Sequence, residues 1–107
     1  MENNIKELAR KKAAQSQCRS KVSALGLNKN GDIVCKAFNL SRFSRPGGGI
    51  HAEQIVMQQS RKKGVVSIII CRVGKGGNIL PIHPCDTCQE KADELGIKIL
   101  TVQDTYE

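Results

Sequence analysis

The run Val65-Val66-Ser67-Ile68-Ile69-Ile70-Cys71-Arg72-Val73 decides the fold. It is rich in β-branched side chains and apolar at successive positions, so it reads as a central strand buried on both faces. Such a strand needs a layer on each side. Working forward, Gly74-Lys75-Gly76-Gly77-Asn78 is a turn and Ile79 to Ile82 a short strand or extended entry. Asp86 to Leu95 reads as a helix stopped by Gly96, and Ile97 to Val102 as a last strand. Working back, His51 to Lys63 is free of Gly and Pro and reads as a helix. Asn39 to Ile50, with Arg42, Phe43, Arg45, Pro46 and Gly47 to Gly49, is expected to be a mobile loop. Lys21 to Leu27 and Ile33 to Phe38 flank an Asn30-Gly31 pair and form a hairpin. Ile5, Leu8, Ala9, Ala13 and Cys18 recur at helical spacing, which predicts an amphipathic first helix from Asn4 to about Ser20. After this helix, the order β-β-α-β-α-β predicts a three-layer α/β/α domain with a mixed sheet.

The chain has 107 residues, the size of one domain, so residues 1–107 are taken as a single unit. No apolar run approaches the ~20 residues that cross a bilayer, and Met1-Glu2-Asn3-Asn4 does not begin a secretory signal. A cytoplasmic protein is expected, with no membrane partner. In that reducing compartment the five cysteines point to metal or redox chemistry rather than disulfides. Net charge is +7 and uneven: residues 1–63 hold 13 Lys and Arg against 4 Asp and Glu, residues 64–107 hold 4 against 6. A basic half suits a phosphate-bearing ligand, nucleotide or nucleic acid, or is simply a solvated face.

Two short stretches carry the chemistry: His51-Ala52-Glu53 at the start of one helix and Pro84-Cys85-Asp86-Thr87-Cys88 at the start of another. Helical positions three apart share a face, so Cys85 and Cys88 can aim both sulfurs at one point. Pro84 suits a helix entry, where its missing N–H costs nothing. The positive end of a helix favours the thiolates that ligate zinc. With the His51 imidazole they make three ligands and leave a fourth tetrahedral position for water, the mark of a catalytic site. Zinc brings the pKa of such a water near 7, and Glu53 is placed to accept its proton.

The pattern His-x-Glu followed by Pro-Cys-x-x-Cys resembles the cytidine/deoxycytidylate deaminase superfamily, over roughly Val22 to Val102. The resemblance implies a mixed sheet flanked by helices, a zinc ion on His51, Cys85 and Cys88, and Glu53 as proton shuttle. It further implies that Asn39 contacts a sugar, that the Ala52 N–H faces the base carbonyl, and that the chain forms a homo-oligomer. The sequence departs from the pattern at His83, and Ile79 to Ile82 lacks a Ser/Thr-rich lead.

Other readings of these residues stand beside the functional ones. Cys85 and Cys88 could be a redox pair, and His83 could close a structural Cys2His2 zinc site or simply line the pocket rim. Glu53 could be an exposed first-turn glutamate and Asn39 a strand-ending turn residue. Phe43 could stack on a base or pack on the sheet edge; Arg42 and Arg45 could grip a phosphate or be solvated. Cys18, Cys35 and Cys71 read as small buried hydrophobes. The leading function is zinc-dependent hydrolytic deamination of a cytosine nucleoside or nucleotide. The alternatives are a deaminase of cytosine or adenine in single-stranded DNA or RNA, and a non-catalytic zinc-stabilised binding module. Only Phe38, Phe43 and Tyr106 are aromatic, few for a binder that relies on base stacking.

Overall fold

In a computed structural model, which describes residues 2–16, 21–41, 49–50, 52–74, 76–82 and 86–102, the β-branched run forms the centre of a five-stranded mixed sheet. The elements are α1 (Glu2–Ala14), β1 (Lys21–Leu27), β2 (Ile33–Phe38), β3 (Leu40–Ser41), β4 (Gly49–Ile50), α2 (Ala52–Gln58), α3 (Ser60–Lys63), β5 (Ser67–Val73), β6 (Ile79–Leu80), α4 (Asp86–Leu95) and β7 (Lys98–Thr101). β1 pairs antiparallel with β2 on one side and along all of β5 on the other. The free edge of β5 is shared, with β7 lying parallel against Ser67 to Ile70 and β6 antiparallel against Arg72 and Val73.

Strand alternation divides the core in two. Ile68 and Ile70 of β5 and Ala24 of β1 face a cluster that contains Ala52, Val56 and Met57 of α2 and Cys88 and Ala92 of α4. Ile69, Cys71 and Val73, with Leu25 and Leu27, face Ala9 and Ala13 of α1. The result is the expected α/β/α sandwich. The Ser23 hydroxyl, buried on the α1 face, donates to the Ala9 carbonyl at 2.7 Å and ties that layer to the sheet. Gly26 faces α2, and a Cβ built on it would lie 2.7 Å from Cys35 Sγ and 2.8 Å from Val56 Cγ1. Only glycine lets the helix approach this closely.

Several boundaries differ from the sequence reading. The first helix stops at Ala14 rather than about Ser20. Ser16 N–H bonds back to the Ala13 carbonyl at 3.0 Å, and its hydroxyl leaves the helix for the Asn39 carbonyl at 2.9 Å. Cys18 lies outside the described residues. Asn39 to Ile50 is not loop throughout: Leu40 pairs with Ile50 and Ser41 with Gly49 in a short antiparallel ladder. The expected helix from His51 to Lys63 is two pieces, α2 and α3, broken at Gln59. There the Ser60 hydroxyl takes the Met57 carbonyl at 2.8 Å, a side-chain competitor for the helical bond. Gly64, at φ 68°, turns the chain toward β5.

Candidate active site

Chain direction brings two helix starts to the same place. β7 begins at Lys98, opposite Ser67, and Lys98 N–H bonds to the Val66 carbonyl at 3.1 Å. The C-terminal end of α4 therefore lies at the beginning of β5, and its first turn at the far end. α2 and α3 also lead into the beginning of β5, through Gly64 and Val66, whose N–H bonds to the Leu27 carbonyl at 2.8 Å. The first turn of α2 thus points the same way. Both helices cover the same sheet face.

Three described site residues at this end are withdrawn from water. Ala52 is fully buried, Glu53 is 4 % exposed and Cys88 is 1 % exposed. Glu53 is therefore not the exposed first-turn glutamate that the sequence also allowed. A buried carboxylate is costly unless it is hydrogen-bonded or paired. Cys88 stands between the core cluster and a cleft of about 350 Å³ between α2 and α4, lined also by Gln54, Met57, Gln58, Thr87 and Lys91.

Asn39 continues β2 by one residue. Its N–H donates to the Val22 carbonyl at 3.0 Å and its Oδ1 accepts the Val22 N–H at 3.0 Å. It is thus a strand-closing residue on the face that α2 and α4 cover, at the end where their first turns lie. Of the other site residues expected from sequence, His51, Cys85, His83, Phe43, Arg42 and Arg45 lie outside the described residues. In the chain, His51 directly precedes Ala52 and Cys85 directly precedes Asp86. Among the described residues no three His, Cys, Asp or Glu side chains group closely enough to hold a metal.

One residue at this end escaped the sequence reading. Arg72 interrupts the apolar strand β5 two residues after Ile70, on the same face. The signal was a charged residue inside a run otherwise fit for burial.

Among the described residues, Cys35 and Cys71 behave as small apolar residues of the interior. Cys71 is buried against α1, and burial pushes its thiol up to about 11. Cys35 is half-buried, and desolvation raises its thiol as well. Among the described residues no helix is long and apolar enough to cross a membrane.

A mixed sheet with two helix starts converging on a buried glutamate and a buried cysteine is the architecture of a cytidine-type deaminase. The family model for the cytidine and deoxycytidylate deaminase zinc-binding region matches residues 2–103, and the chain belongs to this family. Among solved structures, a point-substituted cytidine deaminase from Mycobacterium tuberculosis is 25% identical over 92% of this chain and 82% of its own, with a TM-score of 0.63. The unsubstituted enzyme from Mycobacterium tuberculosis is 24% identical over 94% and 84%, at 0.63. The cytidine deaminase from Mycobacterium leprae is 20% identical over 95% and 88%, at 0.64. No curated protein sequence matches the chain significantly.

Proposed function

We propose that this chain is a zinc-dependent hydrolytic deaminase that converts a cytosine nucleoside or nucleotide to its uracil form and releases ammonia. The observation that carries this reading is the burial of Glu53 and Cys88 in the first turns of two helices that start at one end of the same sheet face. A thiol held at a helix start suits zinc, and a carboxylate kept from solvent at the same end of the sheet face suits proton transfer. His51, Cys85 and Cys88 would hold the metal. Bound there, zinc supplies Lewis acidity and makes a water reactive at neutral pH.

The chain's own groups then do the rest. Glu53 takes a proton from the attacking water as oxygen adds to C4 of the base, and gives it to the ring nitrogen N3. A second transfer through Glu53 carries the remaining hydroxyl proton to the exocyclic amine. The C4–N bond breaks, ammonia leaves, and a carbonyl remains at C4. The Ala52 N–H would donate to the base carbonyl and Asn39 would meet the sugar. Phe43 and His83 would line the rim, and Arg42 and Arg45 would meet a phosphate. The same reading takes residues 1–107 as one domain, working in the cytoplasm as a homo-oligomer.

A small substrate is favoured over a polynucleotide. The exposed basic run Arg61, Lys62 and Lys63 of α3 lies toward the beginning of β5, the end opposite Glu53. The test is ammonia release by zinc-loaded protein from cytidine, deoxycytidine, their monophosphates, adenosine and short single-stranded DNA and RNA. Turnover of a cytosine monomer is expected. Turnover of oligonucleotides alone would replace this reading with the nucleic-acid deaminase; silence throughout, with zinc bound, would replace it with the binding module.

A further inference from the structure

Arg72 is the charged member of β5, and its register places it beneath the site. Ile68 and Ile70 both belong to the cluster under α2 and α4, and alternation carries Arg72 to the same face, one step nearer the helix starts. Its cross-strand neighbours are Val22 on β1 and Leu80 on β6, and Val22 is in turn bonded to Asn39. Arg72 therefore sits in the middle of a row that runs from Asn39 through Val22 to Leu80. From Leu95 back to Cys88, α4 rises about 10 Å at ~1.5 Å per residue. From Ser67, β5 covers about 10 Å by Ile70 and about 16 Å by Arg72 at ~3.3 Å per residue. By these lengths Cys88 is level with Ile70, and Arg72 lies two residues further along the strand, toward the start of α4.

The Nε of Arg72 is buried and has no hydrogen-bond partner among the described residues. A guanidinium does not lose its charge, so the unused N–H cannot be silenced by deprotonation. Left without an acceptor, it is a standing cost of folding. An acceptor that arrives with the metal centre would remove that cost.

We propose that Arg72 is a positioning residue of the metal centre, its guanidinium donating to the Cys88 sulfur and holding that side chain as a ligand. This rests on the zinc reading given above. Outer donors of this kind fix the orientation of the ligands they touch, and losing one typically weakens metal affinity by about 10- to 100-fold.

The experiment is zinc affinity by competition with a chromogenic chelator, together with the thermal midpoint of the metal-free protein. It compares wild type, Arg72→Met, Arg72→Lys, Cys88→Ser and the Arg72→Met/Cys88→Ser double variant. Arg72→Met is expected to bind zinc about 10- to 100-fold more weakly, with a metal-free midpoint that is unchanged or raised. Arg72→Lys keeps the charge without the fork and is expected to fall between. In the Cys88→Ser background, Arg72→Met is expected to cause no further loss. Unchanged zinc affinity in Arg72→Met, an equal loss in both backgrounds, or a lowered metal-free midpoint would each overturn the proposal. Absence of zinc binding by wild type would instead sink the metal reading, and this inference with it.

Discussion

Asn39 closes on Val22 twice, giving its N–H to the Val22 carbonyl and its Oδ1 to the Val22 N–H, each at 3.0 Å. The side chain thus completes the β1–β2 ladder one residue past the last strand pair. The proposed function gives the same side-chain amide a second task, to meet a sugar hydroxyl. This separates a structural from a binding role within one residue. Asn39→Ala removes the acceptor for a partly buried N–H and is expected to cost about 1 kcal/mol in urea unfolding. Asn39→Asp keeps an acceptor oxygen and loses the donor. It is expected to retain most of the stability while raising KM for a nucleoside. An Asp variant with unaltered KM would remove Asn39 from the substrate site.

Gly26 sets how close α2 lies to the sheet. Gly26→Ala forces a Cβ against Val56 Cγ1 and Cys35 Sγ and is expected to destabilise the protein by about 1–3 kcal/mol. Val56→Ala opens space at the same point, so the double variant is expected to lose less than the two single losses combined. Strict additivity in denaturant melts would show that the contact is not the cause.

Cys71 gives a pH-dependent prediction on the opposite face. Burial raises its thiol from the ordinary 9.0 to about 11, while Arg10 and Lys6 pull weakly the other way. The folded state therefore holds this proton more tightly than the unfolded chain. Its contribution is intact below about pH 9 and is lost as pH rises toward about 11. Wild type is expected to lose stability more steeply than Cys71→Ala across that window, whatever their offset at neutral pH. Parallel urea-midpoint curves for the two proteins would contradict it.

Much of the fold was legible because its signals are local. The Asn30-Gly31 pair marks the hairpin, and Gly31 adopts φ 85° as a tight turn requires. The run from Val65 to Val73 announced a strand buried on both faces, and its odd and even residues divide between the two cores. Gly96, at φ 72°, ends α4 where its position suggested. What escaped notice depends on distant partners. The early end of α1 comes with a bond from Ser16 to a residue 23 positions away, which no helical period encodes. The pairing of Leu40 with Ile50 likewise joins the two ends of a segment whose composition says only loop.

The site shows the same division. The spacing of His51, Glu53, Cys85 and Cys88 is a pattern of residue types, so it could be read without coordinates. The burial of Glu53 and Cys88 is set by the packing of α2 and α4 on one sheet face and had to be seen in the structure. Arg72 could not be assigned in the same way. Its face becomes known only once Ile68 and Ile70 are seen under α2 and α4.

The proton-shuttle role of Glu53 is tested most directly by comparing wild type with Glu53→Gln for cytosine-to-uracil turnover and for zinc content in the same preparations. The Gln side chain is nearly the same size but cannot take up a proton in the same way. The expected result is a loss of turnover of about 10²- to 10⁴-fold or more with zinc content unchanged. Near-normal turnover by the zinc-loaded Gln variant would contradict the assignment of Glu53 as the group that moves the protons.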